Sequence, residues 1–164
     1  MVLSNTYLMT SMSDFSDWEE EWRTSVFDKI SENPQHVFLF LTKRPEYIQF
    51  ETDLNQVWIG ITVTTEREKS RIAAMRENIK ENNYFITFEP LFGELGSLDL
   101  DGIGWVVIGT ETGNRKGEIT AEKEWIINIA RQAKVKNVPV FMKESLLDIV
   151  GEENMLQELP KGFR

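Results

Sequence analysis

The sequence of 164 residues contains no cysteine and only one histidine, His36. The lack of cysteine excludes disulfides, thiolate nucleophiles, cysteine-zinc sites and iron-sulphur clusters held by cysteine. A single histidine excludes a multi-histidine metal site and argues against a histidine-based catalytic triad. We therefore predict no metal site, and any chemistry must use carboxylates, lysine, arginine, serine, threonine or a borrowed cofactor.

Basic residues and long apolar runs are also scarce. The 18 lysine and arginine residues are outnumbered by 27 aspartate and glutamate residues, which gives a net charge of -9. The basic residues are scattered, so a phosphate backbone would meet mostly repulsion, and nucleic acid is not the expected partner. No apolar run approaches the ~20 residues of a membrane helix, and no basic flank marks a signal peptide. We expect a cytoplasmic protein that does not contact membranes.

The composition is that of a folded chain, with 41% hydrophobic and 11% aromatic residues. This length suits one domain over residues 1–164, which should bury roughly 70% of the surface of its unfolded form. The five tryptophans fall on predicted strands or on apolar helix stripes, so we expect them in the core and not on a base-stacking platform. They are Trp18, Trp22, Trp58, Trp105 and Trp125.

Six short apolar runs recur along the chain and are bounded by polar or turn residues. Most are continuously apolar, which is typical of parallel strands covered on both faces. They are Thr6–Thr10, Val37–Thr42, Val57–Val63, Tyr84–Phe88, Trp105–Ile108 and Val138–Met142.

Helical patterns occupy most of the segments between these runs. Ser16 with Glu19, and Thr65 with Glu68, have the spacing of capping boxes. The first predicts a helix with Trp18, Trp22, Val26 and Ile30 on its buried stripe, and the second a helix with Ile72, Met75 and Ile79. Further helices are predicted over 46–50, 120–136 and 145–159, with a glycine-rich loop and at most one helical turn over 89–105.

Alternation of strand and helix about six times predicts an α/β fold with a parallel sheet. Almost every predicted strand ends in a polar group, as in barrels whose functional loops follow the carboxyl ends of the strands. Six strands are fewer than the eight of a complete barrel, so the sequence predicts a partial TIM-like (β/α) barrel with two open sheet edges.

Candidate ligand-binding residues follow the first three predicted strands. Lys43 and Arg44 could hold a phosphate or carboxylate, or could instead pair with Asp14 or Glu89. The other candidates on these exits are Ser11, Asp14, Thr42 and Thr62, although Asp14 could equally help to start the helix that follows it.

Candidate catalytic residues follow the last three predicted strands. Glu89 and Glu111 could perform acid-base chemistry or hold a cation, or could simply neutralise nearby lysines. Lys143 could form a Schiff base or could neutralise Glu89 or Glu144. The turn Gly109–Asn114, through Thr110 and Gly113, could offer backbone amides to an anion, or its glycines could serve only the turn.

The strand-exit motifs together resemble those of a known family. In chain order they are SMSDF, LTKRP, VWIGITV, FEPLFG, WVVIGTETG and VPVFMKE, from about Tyr7 to Lys143. They resemble phage-associated and bacterial proteins of unknown function that are distantly similar to radical S-adenosylmethionine enzymes. The resemblance implies a TIM-like or partial barrel.

The resemblance also implies an N-terminal segment with clustered cysteines for an iron-sulphur cluster, which this chain lacks. We therefore interpret residues 1–164 as the later part of a longer family pattern, or as a shortened relative. S-adenosylmethionine and the cluster are expected only in a full-length member, and this chain alone is predicted to be inactive as a radical enzyme.

Three functional hypotheses follow. The first is a barrel fragment that binds a small anionic or nucleotide-like molecule at the carboxyl ends of its strands. The second is a cofactor-independent barrel lyase that uses Lys143 or Lys43 as a Schiff-base lysine. The third is a non-enzymatic interaction module that forms a homo-oligomer through its open sheet edges.

Overall fold

Six parallel strands form one sheet in which the order in space is the order along the chain. A computed structural model describes residues 5–80, 83–111 and 121–163. The strands of this sheet are β1 (Thr6–Leu8), β2 (Val37–Thr42), β4 (Val57–Thr62), β6 (Asn83–Phe88), β7 (Ile103–Ile108) and β8 (Val140–Met142). The sheet curls into half of a barrel, which confirms the predicted α/β partial barrel.

Helices and a small second sheet connect these strands. The helices are α1 (Glu20–Ser31), α2 (Ser70–Asn78), α3 (Lys123–Val135) and α4 (Leu147–Val150), and the second sheet pairs β3 (Phe50–Glu51) with β5 (Ile79–Lys80). Within the described part of the chain, no helix combines the length and apolar character needed to cross a membrane.

The strands bury side chains on both faces of the sheet. On the convex face, Phe40, Ile59 and Ile61 are fully buried in the large core that the helices cover. On the concave face, Phe85 and Trp105 belong to a separate smaller cluster together with Leu39 and Val107. Successive side chains of a strand point to opposite faces, so a continuously apolar strand supplies both clusters at once.

The first predicted helix begins later than its capping-box pattern indicates. Ser16 lies in a short 3-10 helix over Phe15–Asp17, Trp18 and Glu19 are extended, and Glu19 precedes α1 without a capping side-chain bond. The helical stripe therefore does not include Trp18, and Trp22 is 57% exposed. The predictions of a Ser16 cap and a buried Trp22 are wrong, because the chain first turns to bury Phe15 against Phe40.

The second capping-box prediction is also wrong in its chemistry. Thr65 makes no capping side-chain bond. Instead, the Glu68 carboxylate accepts hydrogen bonds from the amide and hydroxyl of Thr64, one residue earlier. Glu68 lies in a 3-10 turn, and α2 begins only at Ser70. Ile72, Met75 and Ile79 are buried as predicted, although Ile79 lies in β5.

The predicted helix over 145–159 is replaced by a short helix and an extended segment. Helix α4 ends at Val150, and Gly151 has a φ of 83°, which breaks the helix in the left-handed region that favours glycine. Residues 152–154 form a 3-10 turn, and Gln157 then pairs antiparallel with Phe141 of β8. The segment predicted over 46–50 similarly becomes a 3-10 turn at Pro45–Tyr47 followed by β3.

One of the two sheet edges predicted to be open is covered. The Met142 amide donates to the Leu156 carbonyl at 2.7 Å, and the Glu158 amide donates to the Val140 carbonyl at 2.9 Å. The C-terminal segment therefore lies along the outer edge of β8, which reduces the edge available for pairing. At the opposite edge of the sheet, Tyr7 and Leu8 of β1 are 41% and 49% exposed. Self-association there stays a prediction.

Replacement of Gly60 by alanine should destabilise the fold. A Cβ atom at Gly60 would lie 2.6 Å or less from three ring carbons of Phe85 on the concave face. Overpacking of this kind costs about 1–3 kcal/mol, which urea denaturation of Gly60→Ala would measure. Gly93→Ala is the matched control, since a Cβ there meets no atom within 4 Å. Equal stability of the two variants would contradict the assigned packing.

Candidate functional site

The concave face becomes polar at the carboxyl ends of the strands. Its apolar positions on β6, β7 and β8 include Phe85, Val107 and Phe141. Two residues further along each strand, the same alternation reaches Thr87, Gly109 and Lys143. We define the mouth as the polar layer that this alternation places on the concave face: Lys43, Thr62, Thr87, Glu89, Gly109 and Lys143.

An ion pair between Lys143 and Glu89 is the best-defined contact of the mouth. The Lys143 Nζ atom lies 2.6 Å from Glu89 Oε1 and 2.5 Å from Oε2. The side chains are 46% and 24% exposed respectively. Each residue immediately follows its strand, and the strands are parallel, so both residues lie at the carboxyl ends of the strands. This is the arrangement that the sequence offered as the alternative to a catalytic Lys143.

Gly109 makes this ion pair geometrically accessible. Gly109 is the first residue after β7, which lies between the strands that precede Glu89 and Lys143. The Gly109 amide donates to the Phe88 carbonyl, and the Lys143 amide donates to the Ile108 carbonyl. A Cβ atom at Gly109 would lie 2.9 Å from the carboxyl carbon of Glu89. The missing side chain lets the Glu89 side chain lie over β7, where Lys143 reaches it.

Two threonine hydroxyls form the middle of the mouth. Thr62 Oγ1 and Thr87 Oγ1 are 3.1 Å apart on the adjacent strands β4 and β6, and both residues are buried. Thr87 Oγ1 also donates to the Ile61 carbonyl at 3.3 Å. Both hydroxyls therefore form hydrogen bonds within the sheet. Thr62 was a candidate from the sequence, whereas Thr87, hidden in the apolar run YFITF, was missed.

Lys43 and its neighbours separate onto the two faces of the sheet. By the alternation along β2, Thr42 and Arg44 lie on the convex face of the sheet. There, Thr42 Oγ1 donates to Asp14 Oδ1 at 2.6 Å, and Arg44 forms an ion pair with Asp17. Lys43 lies on the concave side by the same alternation. It is exposed, and it forms no ion pair with any residue that the structure describes. The expected Lys43–Arg44 anion clamp is therefore divided, and only Lys43 remains in the mouth.

Asp14 organises the loop after β1 and does not project into the mouth. Its carboxylate accepts hydrogen bonds from the Thr42 hydroxyl, the Lys43 amide at 2.8 Å and the Ser16 amide at 2.9 Å. Burial opposes its charged form, but these three hydrogen bonds outweigh burial and lower the pKa of Asp14 below its usual 3.8. The structure thus shows the helix-starting alternative, in a 3-10 turn.

Within the described part of the chain, no hydrogen bond joins the remaining candidates to a residue of the mouth. Glu111 makes no hydrogen bond to Glu89 within the described ranges, and its buried Oε2 atom has no hydrogen-bond partner. The Thr110 amide lies 3.5 Å from Ser145 Oγ, a long contact. Ser11 is exposed. Gly113 lies outside the described residues, so the predicted anion-binding turn is described only as far as Glu111.

A surface cavity lies away from the mouth. It has a volume of about 650 Å³ and lies between α1 and the segment 49–54. Its lining includes Arg23 and the carboxylates of Glu20, Asp28, Glu51 and Asp53, and no mouth residue.

Comparisons with known proteins identify the family of this chain. Residues 3–147 match the family model described as Protein of unknown function (DUF5131), which spans every strand of the main sheet. The chain belongs to the DUF5131 family. No curated protein and no solved structure was found to match it. Over residues 5–80, 83–111 and 121–163, this DUF5131 protein has no group of three acidic or histidine side chains that could hold a metal ion.

A double-mutant cycle should detect the ion pair of the mouth. Glu89→Gln, Lys143→Met and the double variant should show a coupling free energy of about 0.2–1 kcal/mol, because the pair is partly exposed. Added salt should reduce the coupling. Urea denaturation provides the measurement, and the more exposed Lys29–Glu32 pair, 74% and 59% exposed, is the control. Additive single-mutant effects at low salt would contradict the pair.

The stability of the protein in acid should depend on Asp14. Because folding lowers its pKa, ionised Asp14 stabilises the fold above its unfolded pKa, and this contribution is lost as the pH falls through its folded pKa. Asp14→Asn should therefore lose stability at neutral pH and show a smaller decrease below about pH 4. Urea denaturation at several pH values tests this. Asp148→Asn, at an exposed position, should retain the wild-type pH dependence.

Proposed function

We propose that the mouth of this DUF5131 protein binds a small anionic or nucleotide-like molecule. The observation that carries the proposal is that the Lys43 ammonium group is exposed on the concave side of the sheet and forms no ion pair within the described chain. A lysine ammonium binds phosphate and carboxylate groups through charge-assisted hydrogen bonds. Strand register places Lys43 beside Thr62, because Thr42 pairs with Ile61 on the adjacent strand.

Glu89 and Lys143 would set the selectivity of this site. Their ion pair places a carboxylate beside an ammonium group, so the side chain of Lys143 is largely neutralised before ligand binds. We infer that Lys43 makes the principal contact with the anion and that Lys143 makes a weaker one. Glu89 and Glu111 stay our candidates for polar or acid-base contacts.

The wider relationship to phage-associated and radical S-adenosylmethionine-like proteins is part of this proposal. Its support is the set of strand-exit motifs, which lie on successive strands of a parallel half-barrel. The residues of this chain do not fit an iron-sulphur cluster, because none of the 164 is a cysteine. We therefore derive no radical step for this chain. A cytoplasmic location remains a prediction.

The Schiff-base alternative gains no further support from the geometry. Imine formation needs a Lys143 side chain that is free to attack a carbonyl group, whereas Lys143 Nζ is engaged with the Glu89 carboxylate at 2.6 Å. The lyase hypothesis stays a prediction, and we prefer the anion-binding function.

Removal of the Lys43 charge should weaken ligand binding. Titration calorimetry with inorganic phosphate, AMP, adenosine and S-adenosylmethionine would define the ligand class. Lys43→Met should weaken binding of the anionic probes by roughly tenfold or more, as expected for loss of one charge-assisted hydrogen bond.

Lys134→Met is the matched control for this experiment, because Lys134 is exposed at the C-terminal end of α3, outside the mouth. It should bind like the wild type. Failure of the wild type to bind any probe, or equal weakening in both variants, would refute the proposal. Binding of S-adenosylmethionine alone would instead favour the radical-enzyme relationship.

A further inference from the structure

Residues 156–163, here called the C-terminal strap, contact both the edge and the concave face of the sheet. At the edge, Leu156 and Glu158 pair with β8 through backbone hydrogen bonds at 2.7 and 2.9 Å. The Glu158 carboxylate also accepts a hydrogen bond from the Val140 amide at 3.0 Å. The strap therefore uses main-chain and side-chain groups to hold a strand of only three residues.

The end of the strap lies on the concave face. The ring of Phe163 is 4.9 Å from that of Trp58 on β4 and 5.2 Å from that of Trp105 on β7, both in edge-to-face geometry. Trp105 Nε1 donates to the Glu158 carbonyl at 3.1 Å. Edge-to-face aromatic pairs add attraction beyond simple burial. Phe163 thus anchors the strap to the centre of the sheet.

We propose that the C-terminal strap is a positioning device for Lys143. Strand β8 is bonded to β7 on one side and to the strap on the other, and Lys143 is the first residue after β8. Anchoring of Phe163 fixes the strap, the strap fixes β8, and β8 holds Lys143 against Glu89. Release of Phe163 would loosen the edge strand and separate the ion pair. The inference deepens the proposed function, because Lys143 belongs to the mouth.

The position of β8 explains why such a device is needed. A central strand such as β6 is bonded to neighbours on both sides over five residue pairs, whereas β8 pairs with β7 over three. Short edge strands open more readily than central strands. Without the strap, the residue that completes the ion pair would follow the most weakly held strand on this side of the sheet.

The rate of Lys143 acylation tests, without any ligand, whether docking of Phe163 holds Lys143 against Glu89. N-hydroxysuccinimide acetate modifies free amines, and peptide mass spectrometry would give the rate at Lys143 relative to Lys134. Phe163→Ala should raise the Lys143 rate several-fold and speed hydrogen exchange of the Met142 amide. Phe163→Trp should keep both slow. Lys161→Ala, at an exposed position of the same strap, is the control and should behave like the wild type.

Two further variants keep the test decisive. Glu89→Gln should raise the Lys143 rate with the strap docked, which shows that the rate reports the ion pair. Glu158→Ala should loosen β8 if Phe163→Ala does not fold. Tryptophan fluorescence of Phe163→Ala would show loss of the ring from Trp58 and Trp105. If Phe163→Ala leaves both the Lys143 acylation rate and the hydrogen exchange of the Met142 amide unchanged, the proposal is overturned, whether or not the mouth binds an anion.

Discussion

The two-residue period of parallel strands is the constraint on which the rest of the structure depends. It divides each apolar run between a convex face that the helices cover and a concave face that contains Trp58 and Trp105. The same period continues one residue past the strands and decides which polar side chains reach the mouth. Lys43 and Arg44 are adjacent in sequence, yet they serve opposite faces because of this constraint.

Within the mouth, a missing side chain is as important as those present. Glu89 and Lys143 follow strands that are separated by β7, and they meet because Gly109 leaves space above that strand. The pair neutralises two of the charged groups of the mouth, whereas Lys43 forms no ion pair within the described part of the chain. We propose this ammonium group, on the concave side of the half-barrel, as the contact for an anion.

The chain also manages the edges that half of a barrel leaves. The C-terminal segment pairs with β8 and then places Phe163 on the concave face, where the missing strands of a complete barrel would otherwise supply side chains. At the β1 edge, Leu8 retains about half of its exposure. The two edges are therefore unequal, and the protected one lies beside the ion pair.

Strand positions followed from the sequence because buried parallel strands need continuous apolar runs; predicted Val37–Thr42 coincides with β2, and the other runs overlap their strands. The first residues of the helices and the structure of residues 145–159 did not follow from the sequence. Ser16 and Glu19 have capping-box spacing, but burial of Phe15 outweighs a local hydrogen bond, and Gly151 ends a helix that the sequence pattern extends. Among mouth residues, Thr62, Lys43, Glu89 and Lys143 were found from their exits, while Thr87 was hidden within an apolar run.

The sequence by itself determined the residue types available for chemistry, the order of the strands and the polar character of their exits. It did so because these properties depend on composition and on short-range periodicity. Tertiary structure alone decided that Lys143 pairs with Glu89 above Gly109, that Arg44 turns to Asp17, and that Phe163 reaches Trp58 and Trp105. These outcomes depend on strand register and on contacts between distant segments, which no local pattern specifies.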